Sequence, residues 1–138
     1  MSPWNMFNEN LRTALCNSVG IGRYVSSANI RQMEDGAEPG AATQVLFGWA
    51  KDGRWNERAS RGDGTLTIQC ESVRNKREAH EMLDAVREVL KSNAVSFGRL
   101  VMVGAVEQSA LQEAVPSGAG YYSVRADFKV IFAVQRYR

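Results

Sequence analysis

From Tyr122 to Val134 every second residue is apolar. Tyr122, Val124, Ala126, Phe128, Val130, Phe132 and Val134 alternate with Ser123, Arg125, Asp127, Lys129, Ile131, Ala133 and Gln135. A period of two belongs to a β-strand with one buried face, because successive side chains leave the pleat on opposite sides. At about 3.3 Å per residue the strand runs on the order of 40 Å. Few small domains need one so long, and it is stable only inside a sheet whose other strands match it.

Partners are legible upstream. Val45, Phe47 and Trp49 alternate with Gln44, Leu46 and Gly48, and Leu66, Ile68 and Cys70 alternate with Thr65, Thr67, Gln69 and Glu71. These predict two antiparallel strands joined by a charged, glycine-bearing loop over residues 51–64, a length that is often functional. A short strand is expected near residues 28–33, and residues 34–40, with Asp35, Gly36, Pro39 and Gly40, read as a loop. Residues 99–106 are apolar at nearly every position: Leu100, Val101, Met102, Val103, Ala105 and Val106. A strand of that kind is covered on both faces or buried by a partner.

Two helices punctuate the strands. Ser2-Pro3 supplies a hydroxyl cap and a proline at the first helical position, and Trp4, Phe7, Leu11 and Leu15 follow at helical spacing until Gly20 and Gly22. Asn75 and Glu78 stand three apart like a capping box, ahead of a buried stripe of Ala79, Met82, Leu83, Val86 and Leu90. At 138 residues the chain is read as one domain, residues 1–138. The expected fold class is α+β, with a mostly antiparallel sheet and two helices packed on one face in the order α-β-β-β-α-β-β.

Chemistry is sparse. His80 is the only histidine, so a two-histidine metal site is excluded and any nucleophile–histidine pair must use this residue. Cys16 and Cys70 each fall at an apolar position, which predicts reduced core thiols. Gly20-Ile21-Gly22 follows a helix instead of a strand, which argues against a dinucleotide site. Glu34, Asp35 and Glu38 lack the regular oxygen-ligand spacing of a calcium loop and read as a solvated acidic loop. No metal, cofactor or catalytic residue is expected. Seventeen basic residues against fifteen acidic ones leave a net charge of +2, far from the excess of a dedicated nucleic-acid binder. No apolar run approaches the roughly 20 residues of a membrane span, so no membrane partner is expected. Arg54, Arg58 and Arg61, with Trp55 beside them, are residue types favoured at protein interfaces.

The second half of the chain resembles the tail terminator and tail-completion (minor tail) proteins of long-tailed bacteriophages. The resemblance is carried by the strand through Leu66 and Cys70, by Glu78, Ala79, Met82, Asp84, Ala85, Val86, Arg87 and Leu90 on the helix, and by the strands over residues 100–106 and 121–134. It implies a structural virion protein of the tail or neck, assembled in the host cytoplasm. Its copies would form a hexameric ring that caps the tail tube and meets the head-side connector, with genome DNA at most passing through the lumen. On that reading Leu100, Val101, Met102, Val103 and Val106 are expected at subunit contacts. Arg54, Trp55, Arg58 and Arg61 are expected to touch the tail tube protein or the connector. The alternatives are a head–tail connector or stopper and a small ligand-binding α+β regulatory domain.

Overall fold

The computed structural model describes residues 3–33, 40, 42–50, 55–56, 61–91, 96–97, 100–108, 112–113 and 120–134. Helix α1 (Pro3–Cys16) and the short α2 (Val19–Gly22) lead through a 3-10 turn (Ser27–Asn29) into β1 (Ile30–Gln32), β2 (Gln44–Ala50), β3 (Trp55–Asn56) and β4 (Arg61–Ser72). Helix α3 (Lys76–Lys91) then precedes β5 (Ser96–Phe97), β6 (Leu100–Glu107), β7 (Gln112–Glu113) and β8 (Tyr122–Val134).

The long alternating strand is the sheet's spine. The order is β1-β2-β4-β8-β6-β5, with β3 added to β4 and β7 to β8. Strand β4 follows β8 in register from Arg61 opposite Ala133 to Ser72 opposite Tyr122. Only β1 and β2 run parallel. One face collects Val45, Phe47, Leu66, Ile68, Cys70, Val124, Ala126, Phe128 and Val130, all buried beneath Phe7, Leu11 and Leu15 of α1 and Met82, Leu83 and Val86 of α3. Fully burying one such side chain is worth about 1.5–3 kcal/mol, so this layer sets the fold. The α+β architecture and the single helical face agree with the sequence reading.

Three details differ from it. The first helix stops at Cys16, and Ser18 caps a separate turn by accepting from the Ile21 N–H at 3.3 Å. Among the described residues there are therefore three α-helices. Gly20 lets α2 cross close over α3, since a Cβ there would sit 3.0 Å from the Ala85 Cβ. Within the expected loop over residues 51–64, residues 55–56 and 61–64 are strand, because Trp55 and Asn56 pair with Gly62 and Arg61 and β4 begins ten residues before Glu71, while residues 51–54 and 57–60 lie outside the described residues. Finally, the capping box is split: Asn75 Oδ1 accepts from the Glu78 N–H at 2.8 Å, but the Asn75 N–H goes to Ser72 Oγ at 3.2 Å. Glu78 is thereby released to bind Arg74.

Candidate assembly interface

Strand β6 closes one side of the sheet, and its register explains its apolar sequence. Leu100, Val101 and Met102 stand opposite Val134, Ala133 and Phe132, but Gly104 stands opposite Ile131, so Val103 is the extra residue of a β-bulge. A bulge shifts the alternation by one residue. Beyond it Ala105 packs against the core while Val106 is 65% exposed on the reverse face. The bulge thus changes the register of β6 against β8 part-way along its apolar run.

Among the described residues the edge of β6 away from β8 is unpaired beyond Val101. The Gln108 N–H donates to the Asp127 carbonyl at 2.9 Å, which fixes the direction of the ladder. In an antiparallel pair inward- and outward-pointing residues alternate. Gln108 and Val106 therefore bond to β8, whereas the N–H and C=O of Ala105 and Glu107 point away from it. Strand β5 pairs only with Leu100 and Val101. Among the described residues no strand pairs with the side of β6 away from β8 beyond those two residues. From the helical side the edge is braced, because the Arg87 guanidinium donates to Glu107 Oε1 at 2.9 Å and to Asp84 Oδ1 at 2.6 Å.

The residues expected to touch tube or connector are placed as follows. Trp55 lies in β3, three strand spacings from β6 through β4 and β8, whereas Arg61 lies in β4, two spacings away, opposite Ala133, which itself stands opposite Val101. Arg54 and Arg58 lie outside the described residues. Leu100, Val101, Met102, Val103 and Val106 all fall within β6, together with its bulge.

The opposite edge carries what the sequence did not announce. Glu71 is wholly buried although it sits on the reverse, nominally wet, side of β4. Its Oε1 accepts from Gln44 Nε2 at 2.6 Å and from the Gly40 N–H at 3.0 Å, and its Oε2 accepts from Gln69 Nε2 at 2.6 Å. Arg31 Nη2 donates to Gln44 Oε1 at 3.0 Å and so ties β1 into the network. Gly40 adopts φ +75°, and a Cβ there would overlap the Tyr121 ring. Only the acidic Glu71 at the end of the alternation could have hinted at this, and it could not name a partner 27 residues away.

No known protein family matches the sequence, and no curated protein does. Solved chains do match in structure. One of them belongs to the virion of a native gene transfer agent particle, with a TM-score of 0.68 over 89% of this chain and 91% of that one. The fold recurs there at 14% sequence identity. A likeness at that identity is one of architecture, and it covers nearly the whole of both chains.

The remaining titratable groups are structural in their surroundings. Burial pushes the Cys70 thiol far up, so it stays protonated and a poor nucleophile. Glu78 is held below the usual carboxylate range by its bonds to Arg74, assisted by Ser72 Oγ at 2.9 Å and opposed by burial. Glu81 is lowered by its bond from the Tyr24 hydroxyl and by Arg77. Among the described residues no three His, Cys, Asp or Glu side chains gather where they could hold a metal ion, and no helix is long and apolar enough to cross a membrane.

Proposed function

We propose that this chain is a structural virion protein that acts by geometry, its copies closing into a ring, of six subunits, that caps a tail tube and joins it to the head-side connector. The observation that carries the reading is the near end-to-end likeness to a virion chain. A second support is the open edge of β6, with Ala105 and Glu107 presenting backbone donors and acceptors outward. An exposed strand edge invites another strand. Heterologous contacts repeated about an axis close into a ring when the rotation fits.

In this reading β6, with Leu100, Val101, Met102, Val103 and Val106, meets the neighbouring subunit. Arg54, Trp55, Arg58 and Arg61 face the tube protein or the connector. A head–tail connector shares the virion setting and differs in what it touches. Mass measurement of the purified protein, alone and with tail-tube protein, tests the proposal. The expected result is a discrete species near six times the 15.3 kDa chain mass, ring-shaped by electron microscopy, that halts tube growth. A strict monomer without effect on tubes would falsify it.

A further inference from the structure

Between α2 and the start of α3 the surface opens into a groove floored by the Gly20–Ala85 crossing and lined by Arg23, Tyr24, Arg74, Arg77, Glu78 and Glu81. Both of its carboxylates are fully engaged. Glu78 takes Arg74 and Ser72, and Glu81 takes the Tyr24 hydroxyl and Arg77 Nε. Arg74 is further fixed by Nη2 donating to the Tyr24 carbonyl at 2.9 Å. The acids therefore hold the guanidiniums in place and leave donors over. Arg77 uses only Nε of its five N–H groups in these bonds, and Arg23 is exposed with no side-chain bond among the described residues. Three guanidiniums face two spent carboxylates. Such an array fits added carboxylates, which a guanidinium fork binds in bidentate fashion.

The chain itself carries a matching stretch. Glu34, Asp35 and Glu38 lie within five residues. Their flanks are fixed on the side of the sheet away from the groove. Met33 packs where a Cβ on Gly48 would point, on the reverse face of β2, and the Gly40 N–H bonds to Glu71 on the reverse face of β4. The groove lies on the helical face. Seven steps of chain link Met33 to Gly40 and span at most about 24 Å, much of it used in passing from the Gly48 level of the sheet to the Glu71 level.

We propose that the acidic stretch of one copy, Glu34, Asp35 and Glu38, docks against the Arg23–Arg77 groove of a second copy. The pairing is heterologous, so it adds a head-to-tail contact separate from the β6 edge; it rests on the assembly reading in needing that second copy. Nucleic acid is the weaker occupant, because the whole protein is nearly neutral.

A labelled peptide of residues 31–42, titrated against the full protein by fluorescence anisotropy, tests the docking whether or not rings form. The wild type is expected to bind it, more weakly as salt rises. The R23E/R77E variant, changed only at exposed positions, is expected to bind at least about tenfold more weakly. A peptide with Glu34, Asp35 and Glu38 replaced by lysine is expected not to bind the wild type and to regain binding to R23E/R77E. Equal binding of the native peptide to both proteins overturns the proposal. So does tighter binding of a single-stranded oligonucleotide that displaces the peptide. A wild type that stays monomeric yet binds the peptide through Arg23 and Arg77 removes the ring and keeps the groove.

Discussion

The two edges of the sheet are built in opposite ways. At one edge β1 is three residues long and is tied down by side chains: Arg12 Nε donates to the Ile30 carbonyl at 3.1 Å, its Nη2 donates to the Ser27 carbonyl at 2.9 Å, and Arg31 reaches the Gln44–Glu71 network. At the other edge β6 is eight residues long, and its last outward backbone groups have no such cover among the described residues. Guanidinium groups tie down β1, and on the proposed assembly reading a partner strand would do the same for β6.

Blocking the open edge tests this most severely. Ala105→Pro removes an N–H that points away from β8, so the internal ladder keeps its bonds, and proline is tolerated at such edge positions. Assembly is expected to be lost, with the mass falling to that of the monomer, while circular dichroism stays native. A charge placed by Val103→Glu would test the edge less cleanly, because Val103 is the bulge residue and not a member of the paired ladder. A variant that still forms rings takes the backbone edge out of the interface.

Breaking the closed edge should act on stability instead. Glu71→Leu leaves the Gln44 and Gln69 amides and the Gly40 N–H without their acceptor in a buried site, and unsatisfied buried groups cost about 1–3 kcal/mol each. Partial relaxation makes a loss on the order of 3 kcal/mol reasonable. Urea unfolding reads it directly as a lowered midpoint. If the midpoint of Glu71→Leu matches the wild type, the network is ornament and the contrast between the edges weakens.

How much of this was legible in the sequence follows from where period and burial agree. From Val124 to Val130 of β8, in Leu66 to Cys70 and on α3 the apolar positions coincide with the buried ones, so pattern alone placed them, whereas at the start of β8 Tyr122 is exposed and Ser123 buried. Residues 61–64 were hidden by glycine, which reads as loop. Yet Gly62 and Gly64 continue the inward series of Leu66 and Ile68, and Gly64 is buried opposite Val130. Parity carried the signal and composition masked it. The bulge at Val103 and the partners of Glu71 depend on register across distant strands, which no local pattern encodes. The same holds for the arginine groove, whose members come from residues 23–24 and 74–81.

The smallest expected effect concerns the clasp that leads into the closed edge. Arg74 joins Glu78 at the start of α3 to the Tyr24 carbonyl just before β1, so the charge on Glu78 helps hold that approach. Arg74 and Ser72 depress the folded-state pKa of Glu78 below its ordinary 4.5. A depressed carboxylate contributes stability that is present above its unfolded pKa and is lost as pH falls through the lower folded value. The wild type should therefore lose stability as pH drops below about 4.5, and Glu78→Gln should show a shallower acid limb in urea midpoints measured across that range. Tyr24 works in the other direction: its hydroxyl is raised above 10.0 by the bond to Glu81, so its contribution persists below that value and fades only as pH climbs through the folded pKa. Acid limbs of equal slope in wild type and Glu78→Gln would assign the acid sensitivity to other carboxylates and leave the clasp a neutral tether.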